Sequence, residues 1–260
     1  MSGKLITLDD VEHCFGSPQP GREAVQVLCP TSVKIERQQF VALVGPSGCG
    51  KTTVLNMVAG LIRPLRGRVL CNEKEPSLGD PDVGYLLARD ALLPWRTALR
   101  NVTLPLEIRG VSRPERERSA RALLQDVGLE AFADAYPAQL SHGMRQRVAV
   151  ARTLIAKPTT LLMDEPFSAL DAQTKLSLQQ QFLKLWERDQ STVMFVTHDL
   201  TEAILMADRV LVFSARPGRV KADFTVDLDR PRSVAELQAS NRFHELFREI
   251  WNVFREEVTL

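Results

Sequence analysis

The sequence predicts an α/β protein, a parallel-sheet core carrying a helical lobe, and three observations lead there. Phe40-Val41-Ala42-Leu43-Val44, Leu161-Leu162-Met163 and Val193-Met194-Phe195-Val196 are short, continuous apolar runs, as expected of strands buried on both faces. The helical stretch Ala172–Asp189 separates the second run from the third, which is the alternation a parallel sheet requires. Between about Leu99 and Gly143 the character changes: Arg113–Val127 and Glu130–Tyr136 read as charged helices and mark the lobe.

The remaining elements follow in order. Ile6–Val11 and Val25–Leu28 are strand-like, and Thr52–Ala59 reads as a helix ended by Gly60. Near the end, Ser233 and Glu236 have capping-box spacing. Beyond them Leu237, Phe243, Leu246, Phe247, Ile250, Trp251 and Phe254 recur at near-helical spacing, the pattern of a helix that docks an apolar face on the domain. No internal repeat or low-complexity linker interrupts this order.

Composition narrows the function classes. The chain has 260 residues, 44% hydrophobic and 25% charged, enough for one domain with a full core. Its 33 basic and 32 acidic residues leave a net charge of +1, which argues against binding nucleic acid by bulk electrostatics. No apolar run has the length of a membrane-spanning helix, and the first residues lack the apolar stretch of a signal peptide, so the expected location is the cytoplasm. Cys14, Cys29, Cys49 and Cys71 have neither zinc nor disulfide-framework spacing and read as small packing residues of a reduced protein.

Two motifs carry the chemistry. Gly45-Pro46-Ser47-Gly48-Cys49-Gly50-Lys51-Thr52 fits G-x-x-x-x-G-K-[ST] between a strand and a helix, with Thr53 following. The glycines let backbone N–H groups converge on phosphates, and the helix N-terminus adds its positive dipole end. Lys51 would reach the β- and γ-phosphates of ATP, and the Thr52 hydroxyl would hold Mg²⁺. Leu161-Leu162-Met163-Asp164-Glu165-Pro166 is the complement, an apolar strand delivering two carboxylates at its C-terminal end, where parallel sheets bind ligands. Asp164 would sit near Mg²⁺, and Glu165 would act as general base on the attacking water. Together the motifs define a P-loop NTPase.

Leu140-Ser141-His142-Gly143-Met144-Arg145-Gln146-Arg147 narrows the class, because it resembles the signature of ABC transporter ATPases. Other elements of that family stand in the same order: Phe15 at the aromatic that stacks on adenine, Ser168-Ala169-Leu170-Asp171 at the D-loop, and Thr197-His198-Asp199 at the switch histidine. The resemblance covers nearly the whole chain. Ala91-Leu92-Leu93-Pro94-Trp95, Met144-Arg145-Gln146-Arg147-Val148 and Ser214-Ala215-Arg216-Pro217-Gly218-Arg219 are similar to ATPases of nitrate, sulfonate, taurine and bicarbonate importers.

The resemblance implies one ABC ATPase domain over residues 1–260. Its core, with an antiparallel β subdomain, would take about 4–98 and 158–230, the helical lobe about 99–157, and a helical tail 231–260. It implies that Ser141 and Gly143 approach ATP held by a second copy, identical or not, and that Asp171 links the two sites. His198 would contact the γ-phosphate. Two transmembrane permease subunits and, indirectly, a periplasmic or lipid-anchored substrate-binding protein are the implied partners, with the chain on the cytoplasmic face of a bacterial inner membrane. Trp95 then reads equally as a core residue or as a contact to the permease.

Two positions depart from the family pattern. Ala88 stands where a glutamine that touches metal and water is expected, and no glutamine occurs between Cys71 and Arg100. Slower hydrolysis, substitution by Asp90 and a silent regulatory subunit are the three consequences to separate. The intact cradle, both carboxylates and His198 favour an active enzyme. His142 stands at the first signature glycine, where it either adds a donor or weakens closure. An ABC ATPase acting on DNA or ribosomes fits poorly, since the chain has room for neither a coiled-coil insert nor a second cassette.

Overall fold

The computed structural model describes residues 4–16 and 24–258. In chain order the strands are β1 (Lys4–Phe15), β2 (Val25–Glu36), β3 (Phe40–Val44), β4 (Arg66–Cys71), β5 (Val83–Leu86), β6 (Thr160–Asp164), β7 (Thr192–Val196), β8 (Arg209–Phe213) and β9 (Val220–Thr225). The helices are α1 (Lys51–Val58), α2 (Ala98–Ile108), α3 (Arg113–Asp126), α4 (His142–Leu154), α5 (Ala172–Asp189), α6 (Leu200–Met206), α7 (Val234–Gln238) and α8 (Asn241–Val258). The described residues form two compact units, those within 1–80, 192–232 and 236–260 in the first, and those within 81–191 with 233–235 in the second.

The first unit holds an antiparallel sheet of order β2-β1-β4. On β2, Thr31, Val33 and Ile35 point inward and the residues between them outward, the period-2 pattern of a half-buried strand. A second set of strands runs parallel: β3 pairs with β7 on one side and β8 on the other, and β9 closes antiparallel on β8. All five residues of β3 and all five of β7 are buried, which is what their uninterrupted apolarity predicts. Helix α8 packs Phe243, Leu246, Ile250 and Phe254 inward, so the tail docks as its spacing indicates. The expected single helical run is broken: α7 ends at Gln238, and the Ser240 hydroxyl accepts from the Phe243 N–H to start α8.

Strand β1 bulges at Asp10, whose φ of 51° coincides with the register shift between Asp9 and Glu12. Gly67 faces that bulge with φ 75°, and a Cβ there would stand 2.2 Å from the Asp10 carbonyl oxygen. Gly67→Ala is therefore expected to cost at least about 2 kcal/mol, read as a lowered Tm in thermal unfolding.

In the second unit, β5 and β6 pair in parallel, and α2 packs against α3 and α4. Ring centroids of Phe167 and Phe182 lie 6.3 Å apart, edge to face, beneath α5. The expected helix over Glu130–Tyr136 is not formed. Only the 3-10 turns Glu130–Phe132 and Pro137–Gln139 occur. The carbonyls of Ala133 and Ala135 accept instead from the first amides of α2, and Pro137 holds Tyr136 extended. Among the described residues no helix is long and apolar enough to cross a membrane. Among them none of the four cysteines forms a disulfide, and Cys49 and Cys71 are buried.

Candidate functional site

In the first unit, β3 delivers the glycine-rich loop from the sheet's interior. Gly48 and Gly50 take φ of 77° and 95°, conformations that disfavour other residues. Gly50 is the N-cap of α1 and no side chain caps that end, so backbone N–H groups of the first turn face the loop as anion donors. Gly45 is needed for space: a Cβ would stand 2.9 Å from the backbone oxygen of Phe213. The Lys51 ammonium, only 6% exposed, donates to the carbonyls of Gly45 (2.7 Å) and Pro46 (2.8 Å), which hold it across the loop. Burial pushes the Cys49 thiol up, against the pull of that ammonium, so Cys49 is a neutral packing group. Thr52 is exposed and Thr53 buried, with Pro46, Ser47 and Gly48 at the loop's outer rim.

Two other predicted residues belong to the same unit. Leu43 of β3 stands opposite Val196 of β7, and the Thr197 N–H donates to the Leu43 carbonyl. The turn bearing exposed His198 thus leaves the same sheet edge as the loop. That turn is stiffened from below: the buried Thr197 hydroxyl donates to Glu202 and accepts from the Asp199 N–H, while Asp199 caps α6. Phe15 ends β1, 48% exposed, with His13 edge-on at 4.7 Å. Burial lowers the His13 pKa, which favours a neutral imidazole beside that ring.

The second unit carries the carboxylates and the signature. Glu165, just after β6, has φ 47°, a strained conformation for a non-glycine residue. The strain is held in place because the Ser168 hydroxyl and N–H both donate to the Glu165 carbonyl. Tyr85 lies near Asp164. Burial first, and then the Asp164 charge, push its phenol far above the ordinary range and keep it a donor. Leu86 of β5 is level with Met163 of β6, so the chain leaves as Leu87–Ala88 beside Asp164–Glu165. The buried Gln146 amide joins the two exits, donating to the Pro166 carbonyl (2.7 Å) and the Leu87 carbonyl (3.4 Å).

Ser141 is the N-cap of α4 and accepts from the Met144 N–H, as a helix start requires. A Cβ at Gly143 would stand 2.6 Å from the Thr174 methyl, so glycine permits a close approach of α4 to the start of α5. Asp171 caps α5, and its bonds to the Thr174 N–H and side chain hold its carboxyl below the usual range. Asp90 is not free to replace a glutamine. Its carboxylate pairs with Arg145 at 2.9 Å, and the same guanidinium reaches His142 Nδ1 at 3.4 Å. Arg152 further pins the carbonyls of Asp90 and Ala91.

Comparison with known proteins decides the family. Residues 28–168 match the family described as ABC transporter. An uncharacterized ABC transporter ATP-binding protein of Methanocaldococcus jannaschii is 47% identical over 90% of this chain and 86% of its own length. The chain belongs to the ABC transporter ATPase family. The taurine import ATP-binding protein TauB of Rhizobium johnstonii is 42% identical over 92% of this chain and 94% of its own length. The nitrate import ATP-binding protein NrtC of Synechococcus elongatus is 36% identical over 97% of this chain, though that match spans 38% of NrtC. Among solved structures, the dimeric post-hydrolysis state of the ATP-binding cassette MJ0796 bound to ADP and Pi superposes with TM-score 0.76. It is 33% identical and is covered in full by 86% of this chain.

This ABC ATPase binds and hydrolyses ATP, and its donors suit the ligand. A glycine cradle with helix amides and a buried ammonium matches a polyphosphate. Sequence reasoning missed three supporting residues. Tyr85 carries no motif, and Gln146 stands in Leu140–Arg147 with no separate role indicated there. Gly218, noted only as part of Ser214–Arg219, is set against the loop itself: a Cβ there would stand 1.8 Å from the Cys49 carbonyl oxygen. Its N–H donates to Val27 and its carbonyl accepts from Cys29, so it cannot retreat. Gly218→Ala is expected to weaken ATP binding at least about tenfold by displacing Cys49, measured by equilibrium titration with Mg·ATP.

Proposed function

We propose that this ABC ATPase powers uptake of a small anion of the nitrate, sulfonate, taurine or bicarbonate kind. The observation that carries the reading is the 42% identity to a taurine import ATP-binding protein over nearly the full length of both chains. The Ala91-Leu92-Leu93-Pro94-Trp95 stretch supports it. Trp95 is 70% exposed, so the core reading fails and an apolar surface is left for a permease partner.

In this reading Lys51 and His198 neutralise γ-phosphate charge, Glu165 orients the attacking water, and Phe15 stacks on the adenine. Thr52 and Asp164 would hold magnesium, which when bound supplies charge neutralisation on the phosphate oxygens. The chain acts as a dimer of identical copies, in which Ser141 and Gly143 of one copy serve ATP on the other and Asp171 links the sites. Dimeric solved relatives support this arrangement. Two permease subunits hold the pair at the cytoplasmic face of the membrane, and a substrate-binding protein outside delivers the solute. The core, lobe and tail divide near residues 98, 157 and 230.

The reading is tested by complementation. A strain lacking this chain should lose growth on taurine, another sulfonate or nitrate as sole sulfur or nitrogen source, and also the corresponding radiolabelled uptake. Wild type should restore both and Glu165→Gln neither. Undiminished uptake of all these anions without the chain would refute the substrate class.

A further inference from the structure

We propose that Glu257, at the end of α8, is a positioning residue for nucleotide binding, acting on the glycine-rich loop through the turn at 214–219. The proposal rests on the reading of residues 45–52 as the nucleotide loop. Every link lies within the first unit. The Glu257 side chain is 9% exposed, and one carboxylate oxygen accepts from the Ala215 N–H at 2.8 Å. Its other oxygen pairs with Lys221 of β9, which also binds exposed Glu256. Lys221 first, with the Ala215 N–H and nearby Arg219, holds the Glu257 carboxyl below the usual range, so it stays charged at neutral pH.

The turn that Glu257 grips is closed on itself by the Ser214 N–H to Arg219 carbonyl bond and by the Ser214 hydroxyl, which accepts from the Arg219 N–H. From it Gly218 projects against Cys49, with the 1.8 Å Cβ clearance noted above. Gly218 also bonds to Val27 and Cys29 of β2, and β2 pairs through Val25 with Phe15. One turn therefore braces both the loop that would hold the phosphates and the strand pair that ends in the ring for adenine. The Ala215 N–H needs an acceptor oxygen within reach, and withdrawing it leaves that amide unpaired and frees the turn. The loop would then be ordered only at the expense of nucleotide affinity, a loss in binding with little change in the chemical step.

Two substitutions separate reach from charge. Glu257→Asp keeps the charge but withdraws the oxygen from Ala215, whereas Glu257→Gln keeps the reach and loses the charge. In the full chain, Glu257→Asp should raise the Kd and KM for Mg·ATP about tenfold with kcat within about twofold of wild type. Glu257→Gln should return both to within about threefold of wild type. An unchanged Kd in folded Glu257→Asp overturns the proposal, and so does an equal loss in both variants, which would mark a general role in holding α8. Lys51→Ala serves as the reference. If it leaves ATP binding intact, the nucleotide-loop reading fails; if it abolishes binding while Glu257→Asp has no effect, only the present proposal fails.

Discussion

Replacing Lys51 with alanine is expected to remove high-affinity ATP binding, raising the Kd for Mg·ATP by at least about a hundredfold. The ammonium is buried and already held over the loop by the Gly45 and Pro46 carbonyls, so its side-chain entropy is largely spent before nucleotide arrives. It is also the one cation inside the glycine-rich sequence, and the anion it faces carries several charges. Alanine leaves the loop and α1 amides without a cation among them. Titration of the folded variant with a fluorescent ATP analogue checks this, and a Kd within tenfold of wild type would remove Lys51 from the site.

The second large effect is at Glu165. Changing it to glutamine is expected to lower kcat by at least about a hundredfold while leaving the Kd for ATP nearly unchanged, the pattern of a lost general base. The backbone supports that role. A non-glycine residue at φ 47°, clasped by both donors of Ser168, aims a side chain where relaxed strand geometry would not. Glutamine preserves size and hydrogen bonding but cannot accept the proton from water. Steady-state and single-turnover phosphate release separate binding from chemistry. A kcat within threefold of wild type would place the base elsewhere.

Much of this was legible in the chain itself, for physical reasons that differ by element. The runs Phe40–Val44 and Val193–Val196 announce strands because a strand buried on both faces cannot alternate. The loop at 45–52 and the carboxylates at 164–165 are readable because each compresses its chemistry into one short stretch. The helix expected over Glu130–Tyr136 fails because its carbonyls are claimed by α2, and no local pattern shows that competition. Gly218 and Gln146 are equally silent, since each acts on a segment far away in sequence. The φ of Glu165 depends on a serine three residues on, in a turn that motif spacing does not resolve. Asp90 is instructive in the other direction: composition leaves it available to replace the missing glutamine, and only the ion pair with Arg145 removes it.

That ion pair sharpens the question at Ala88. With Asp90 committed and the Leu87 carbonyl tied to Gln146, residue 88 is held beside the carboxylates with a methyl group that can neither ligate nor orient water. In the proposed reading, turnover then rests on Glu165, Lys51 and His198 with the magnesium held by Thr52 and Asp164, and no side chain at residue 88 adds to it. The most direct measurement is steady-state phosphate release by the purified chain, wild type beside Ala88→Gln, at saturating Mg·ATP. The expected result is turnover by wild type and less than about a tenfold gain in Ala88→Gln. Wild type that binds ATP without releasing phosphate, together with an active Ala88→Gln, would contradict it and make this chain a regulatory subunit that depends on another's catalysis.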